Sequence, residues 1–248
     1  MTFRLTVSPD FTPDHLPGWY IFNTWLQKQL GEGIHLEMYN SFQAQHEAIV
    51  KDQIDLIYAN PFDAAMLVRE KGFLPLVKAH GLSDEAIIAV NAESPAKDVA
   101  DLAPGTRVAA TEDPDVRLMG MIMLEPADLT SSNIDLHLCD TYVLVAKKLL
   151  RGEADAGIFL AEAFDDLSGM IKKQLKVLVR SQIGVIQHVL MVGPRLTDRR
   201  DELRDLLLAM PSDEKGQDVL NNLGFDALIN VEDEEMEFMI DLMDTLNT

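Results

Sequence analysis

Apolar residues recur along the first 72 positions in two alternating rhythms, and that alternation restricts the fold more than any other feature of the chain. Phe3, Leu5 and Val7 alternate as a strand that stops at Ser8-Pro9-Asp10. Pro17-Gly18 then opens a segment in which Ile21, Phe22, Trp25, Leu26 and Leu30 keep a 3.6-residue period until Gly31, a residue suited to end a helix. Ile34, Leu36 and Met38 alternate again. Ser41 can cap a helix running to Val50, and Ile54–Tyr58 is a short apolar run that reads as a third strand. Asn60 as N-cap, with Pro61 at the first helical position, begins a further helix that Gly72 closes.

This βαβαβα order predicts a mostly parallel sheet covered by helices. The rest of the chain keeps the rhythm. Strands are expected at Ala86–Val90, Arg107–Ala110, Ile134–Leu138, Ala156–Phe159 and Lys176–Val179, and helices at Pro114–Leu124, Thr141–Arg151 and Thr197–Met210. Near the C-terminus Met236, Met239, Ile240 and Met243 fall at i, i+3, i+4 and i+7, the apolar face of an amphipathic helix. From Asp226 onward there are eight acids and no base, which reads as a solvated outer face of that helix.

At 248 residues the chain can build one large domain or two small ones. Its charge narrows the partners. Forty-one acids against 21 bases give a formal charge of −20, which argues against nucleic acid and against anionic membrane surfaces. No run approaches the roughly 18 apolar residues of a membrane span, so direct membrane insertion is not expected. The N-terminus lacks the basic-then-apolar pattern of a leader peptide. The expected location is therefore the cytoplasm if the chain is complete as given, and the periplasm if a leader was removed.

Cys139 is the one cysteine, which rules out an intramolecular disulfide and a CxxC metal knuckle. The six histidines are scattered with no HxxxH spacing, and His35 and His137 fall at outward positions of alternating strands. No GxSxG, P-loop or GxGxxG is present.

Four stretches in order carry a family resemblance: IDLIYANPFDAAMLVREKGFLPLVKA, AVNAESPAKDVADLAPGTRVAAT, LLRGEADAGIFLAEAFDDL and VIQHVLMVGPRL. Together they span roughly residues 50 to 196, and their order and spacing resemble the phosphate/phosphonate-type substrate-binding proteins of ABC importers. The resemblance implies a type II periplasmic-binding-protein-like α/β fold. It has two lobes, each a mostly parallel sheet flanked by helices, joined by two crossover strands near Leu82–Ala86 and Gln182–His188. Lobe one would be residues 1–83 plus 186–248 and lobe two 84–185, with a small-molecule ligand held in the cleft between them and no cofactor. A permease or a sensor protein is the implied partner.

Ligands of open α/β sheets sit outside the carboxyl ends of the strands. Candidate ligand residues at such ends are Asp10, Phe11, Asn60 and Phe62 in lobe one and Thr111, Asp113, Arg117, Asp140 and Tyr142 in lobe two, with His80, Cys139 and His188 as further candidates. No metal set is specified.

The chain departs from the family where an anion would bind. The family's Ser-Thr-Ser-Gly run at a helix N-terminus corresponds here to Thr111–Arg117, in which Asp113 reads as the N-cap and Pro114 as the first helical residue. A carboxylate thus takes the anion's place, and Glu112 and Asp115 add to the repulsion. At an effective dielectric near 20, a like-charge pair about 4 Å apart costs on the order of 4 kcal/mol. The family's histidine before a later helix is replaced by Cys139-Asp140-Thr141, where Asp140 reads as an N-cap.

A solute-binding protein that is not a strong phosphonate binder is the leading expectation. Converging acids would favour an amine, another organic cation or a metal ion with oxygen ligands, and Phe11, Phe62 and Tyr142 could wall an organic cation. The alternatives are a cytoplasmic enzyme on the same fold, of the menaquinone-pathway or thiamin-pyrimidine-synthase type, and a regulatory or partner-binding module that has kept only the scaffold.

Overall fold

The computed structural model describes residues 2–10 and 15–246. The chain forms two compact units. Met1–Leu82 and Gln187–Asp244 make the first, and Ser83–Ile186 is the body of the second.

The first unit opens with β1 (Thr2–Val7), α1 (Leu16–Leu30), β2 (Gly33–Glu37), α2 (Phe42–Val50), β3 (Leu56–Ala59), α3 (Pro61–Lys71) and β4 (Leu74–Ala79). The boundaries follow local chemistry. Ser41 Oγ accepts the Ala44 amide at the start of α2, Asn60 caps α3 ahead of Pro61, and Gly72 ends α3 in the left-handed conformation at φ 67°.

The second unit holds β5 (Ala86–Asn91), β6 (Arg107–Ala110), α4 (Pro114–Met123), β7 (Asp135–Leu138), α5 (Tyr142–Leu150), β8 (Ala156–Leu160), the short α6 (Ala161–Asp165) and α7 (Gly169–Lys172), and β9 (Leu175–Arg180). The chain then returns to the first unit for β10 (Val189–Val192), α8 (Arg200–Leu208), α9 (Glu214–Leu223), β11 (Leu228–Asn230) and α10 (Asp233–Leu246). The helix expected at Thr197–Met210 is divided, a 3-10 turn over Pro194–Arg199 leading into α8.

The first sheet has the order β11-β4-β10-β3-β1-β2. β1 pairs in parallel with β2 and β3, whereas β10 lies antiparallel between β3 and β4, and β11 is antiparallel to β4. The second sheet, β7-β6-β8-β5-β9, repeats the plan: β6 is parallel to β7 and β8, and β5 runs antiparallel between β8 and β9. Most strands in each sheet share one direction, and the reversed strands are those that begin just after a passage between units (β5, β10) plus the edge strand β11.

Neither passage is itself a strand. Residues 82–85 and 181–188 have no regular secondary structure. One carboxylate and one backbone pair tie the two passages together. Glu85 accepts the Gly184 amide at 2.7 Å and the Ser181 hydroxyl, and the Asp84 amide meets the Ile186 carbonyl at 2.7 Å.

Each unit has its own core. In the first, Leu5, Val7, Trp19, Phe22, Leu26, Leu56 and Tyr58 meet Leu203, Leu207, Leu220 and Leu223 from α8 and α9. In the second, Ile87, Ala89 and Phe159 of the sheet pack on Val145, Ala146 and Leu149 of α5 and on Phe164. α4 lies against the other face of β8 so closely that a Cβ at Gly120 would sit 2.4 Å from Ile158.

α10 buries Met236, Met239, Ile240 and Met243 as the periodicity requires. Its acidic face is not wholly solvated, because Glu235 pairs with the buried Lys78 ammonium and accepts from Gln187 at 3.0 Å, while Asp241 meets Arg69 at 3.0 Å. Hydrogen bonds from Lys78 and Gln187 outweigh the desolvation of Glu235 and lower its pKa. No helix among the described residues is long and apolar enough to cross a membrane.

Candidate functional site

At the carboxyl end of the first sheet, β1 and β3 stop side by side. The Ser8 amide donates to the Tyr58 carbonyl at 2.9 Å, and Ser8 and Asn60 are fully buried. Asn60 uses all of its amide. Its Oδ1 accepts the Asp63 backbone N–H at 2.8 Å, and its Nδ2 donates to Ser8 Oγ at 3.0 Å and to Asp63 Oδ2 at 3.1 Å. The second oxygen of Asp63 lies 3.6 Å from His46 Nδ1 on α2. Burial raises the Asp63 pKa, with the Asp10 charge adding to it and His46 and Asn60 opposing.

The neighbouring Gln45, also fully buried, anchors α2 to this strand end by donating to Thr6 Oγ1 at 3.1 Å and the Val7 carbonyl at 2.7 Å. Asp10 follows β1 and meets His188 Nε2 at 2.8 Å. The His188 ring stacks on Tyr58 with centroids 5.3 Å apart and planes 22° from parallel. This contact follows from the register: Val189 stands opposite Ala59, so His188 comes to the corner that Asn60 begins.

The equivalent end of the second sheet is built on β6 and α4. Asp113 is the N-cap expected from the sequence, with Pro114 at the first helical position. Its Oδ1 accepts the Val116 amide at 3.4 Å, and its own amide donates to Thr111 Oγ1 at 3.4 Å. The Tyr142 hydroxyl donates to Asp113 Oδ2 at 2.8 Å, and the Tyr142 ring stacks on Phe159 at 6.2 Å. Asp113 and Asp115 are both buried, at 3% and 1% exposure. Burial, then the Asp113 charge, pushes the Tyr142 phenol well above its ordinary pKa, so it serves as a proton donor rather than a phenolate.

The sequence-selected residues separate under this geometry. Asn60, Thr111 and Asp113 are buried parts of these networks, while Asp10, Tyr142 and His188 are partly exposed parts of them. Phe62 and Arg117 are half-buried beside them. Glu112, Asp140 and His80 are exposed.

Asp140 is not the N-cap of α5. Thr141 takes that position, accepting the Leu144 amide at 3.3 Å, because the helix begins one residue later than its acidic neighbour suggests. Cys139 lies in the second unit's apolar cluster, where burial raises its thiol pKa, the setting of a packing residue rather than a nucleophile. Phe11 falls outside the described residues.

Sequence reasoning missed His46 and Tyr58. The available signal for His46 was its place beside Gln45 in the first turns of a helix capped at this same strand end.

The family model described as the periplasmic substrate-binding protein of phosphonate ABC transporters matches residues 5–236. No curated protein matches the chain in sequence. Solved structures share its fold at low identity. PhnD1 from Prochlorococcus marinus, in complex with methylphosphonate, superposes with a TM-score of 0.82 at 14% identity, covering 99% of this chain and 98% of that one. A Xanthomonas citri protein bound to ATP gives 0.81 at 17% identity with the same coverages. The periplasmic aliphatic sulphonate binding protein SsuA from Escherichia coli gives 0.67 at 14%, covering 99% and 87%. These likenesses place both units in the type II periplasmic-binding-protein fold.

Proposed function

This chain belongs to the family of periplasmic substrate-binding proteins of phosphonate ABC transporters, and from that premise we propose that it is a solute-binding protein whose ligand is not a phosphonate-type oxyanion but an amine-bearing or otherwise cationic small molecule. The family works with a permease, and delivery of the bound solute to one is the role we assign. The strand-end loops of both units are taken as the ligand-facing surfaces. Asp10 and Phe62 are assigned from the first, with the buried Asn60 holding their loop from within, and Thr111, Asp113, Arg117, Asp140 and Tyr142 from the second.

One observation carries the reading. The amino end of α4, where backbone N–H groups and the helix dipole favour a negative charge, already holds the Asp113 carboxylate, itself bound by the Tyr142 hydroxyl at 2.8 Å. A second anion brought to about 4 Å would meet a repulsion on the order of 4 kcal/mol at an effective dielectric near 20, close to a thousandfold in affinity. A ligand ammonium meets the opposite field. The methylphosphonate and sulphonate named for structural neighbours are anions, so this chain has kept their scaffold while reversing the charge its loops favour.

A thermal-shift screen of the full chain tests the proposal with two sets of probes: phosphate, methylphosphonate and sulfate, against diamines, quaternary ammonium compounds and divalent metal ions. A ligand at about a hundred times its Kd stabilises by about 2.7 kcal/mol. The amine set is expected to raise Tm in the native protein and to lose that effect in Asp113→Asn, which leaves the acidic outer surface intact and so separates a site from general cation binding. A strong shift from methylphosphonate with none from amines would sink the reading.

A further inference from the structure

The second sheet ends at β7, and that edge is unusual. β7 pairs only with β6 among the described residues, and both of its leucines are exposed, Leu136 at 38% and Leu138 at 48%. Two other sheet edges turn their apolar residues inward, Ile34 and Leu36 on β2 and Leu228 on β11, and β9, which exposes Val177 at 42%, carries the charged Lys176 and Arg180 within the strand. An open strand edge carrying apolar side chains is a template for another strand.

The backbone bonds show which groups face outward. The Asp135 amide donates to the Thr106 carbonyl at 3.0 Å and the Cys139 amide to the Ala110 carbonyl at 2.8 Å, so the odd-numbered residues bond to β6. The N–H and C=O groups of Leu136 and Leu138 therefore point to the open side. The side chains divide in step. Asp135 and His137 share one face, with carboxylate and imidazole 3.0 Å apart, while Leu136 and Leu138 share the other.

We propose that β7 pairs antiparallel with β7 of a second copy of this chain, about a two-fold axis at Leu136. The strand's own sequence is complementary in that register. Leu136 meets the partner's Leu136 in a pair that exchanges two N–H···O=C bonds, and Leu138 faces the partner's Ile134 on either flank. On the opposite face each Asp135 meets the partner's His137, so two carboxylates alternate with two imidazoles. The register centred one residue further on sets His137 against the partner's His137 and loses this complementarity, which selects the Leu136 axis. Because each copy carries a formal charge of −20, the pairing depends on salt to screen their mutual repulsion.

The test is the association state of the full chain by sedimentation velocity across protein concentration at physiological and low ionic strength, with amide hydrogen exchange on the same samples. The expected result is a concentration-dependent dimer that weakens at low salt. Protection of the Leu136 and Leu138 amides should rise with concentration while the amides of Asp135 and Cys139 stay protected throughout. Leu136→Lys, which sets two ammonium groups against each other on the axis, is expected to be monomeric. His137→Asp, which opposes Asp135 with a like charge, is a second variant outside the core should the first fold poorly. A chain that is monomeric at every concentration, with Leu136 exchange unchanged, overturns the proposal. So does a dimer that Leu136→Lys and His137→Asp leave intact, or an edge filled only by a different protein.

Discussion

Asp63 is a buried carboxylate held by one neutral amide and one histidine, and its pKa moves in the direction opposite to those of Asp101, Asp155, Glu202 and Glu235. Its pKa is raised chiefly by burial. Between the unfolded carboxylate value and that raised value, the native protein holds a proton that the unfolded chain has released, so stability falls as pH rises through the window. Asp63→Asn keeps the shape and removes the charge. The variant is expected to melt above the native protein at neutral pH, with the gap closing as pH falls below the raised pKa; a gap that widens on acidification would show that the ionised form is the preferred one. Asp155 behaves in the usual way. Its pKa is lowered by the Arg107 side chain, so the stability it contributes is lost as pH falls. At this scale the caps were readable in advance, because Asn60-Pro61 and Asp113-Pro114 state their role within two residues. The pairs His188–Asp10 and His46–Asp63 were not, since the first joins residues 178 apart and both depend on which strands become neighbours.

Both sheets use one device to align parallel strands. Asp55, just ahead of β3, accepts the Arg4 amide of β1 at 2.8 Å and returns its own amide to the Arg4 carbonyl at 2.9 Å. Asp155, just ahead of β8, does the same with Arg107 of β6, at 3.0 and 2.8 Å. Their surroundings differ. Asp55 is buried and bound through both oxygens by Arg195, whereas the Asp155 and Arg107 side chains are nearly half exposed. Asp55→Ala is therefore expected to cost on the order of 3 kcal/mol and Asp155→Ala no more than about 1, since water screens the second pair. Urea unfolding followed by tryptophan fluorescence reads the first directly, because Trp19 and Trp25 are both in the first unit; equal costs would contradict the argument. Strands of this parallel kind were legible from their period and punctuation. β4 was not, because Pro75 argues against a strand, and it is tolerated opposite Met191 where the ladder with β10 shifts register. β10 is an unbroken apolar run buried on both faces, which periodicity alone does not tell from a helix segment. α9 was hidden by Gly216, whose lack of a Cβ lets its helix approach the Met210 carbonyl, 2.4 Å from where that atom would stand.

Over the whole molecule, a formal charge of −20 sets a background of self-repulsion that balanced ion pairs do not cancel. Raising the salt from low to physiological is expected to raise Tm, as measured by calorimetry; a fall would mean that paired charges outweigh the net charge. An α/β chain was legible from element order and its two lobes from the family resemblance, whereas the direction of β5 and β10 was not, because the sequence does not say where a strand inserts after the chain passes between units. That insertion also sets an order of assembly. The body of the second unit is one continuous stretch whose ends are tied by the Asp84–Ile186 and Glu85–Gly184 bonds, so it can close once residue 186 has left the ribosome. The first cannot. Its β10 fills the place between β3 and β4, and until Val189–Val192 emerge those two strands present facing open edges on the nascent chain. The half that is made first is thus the half that finishes last.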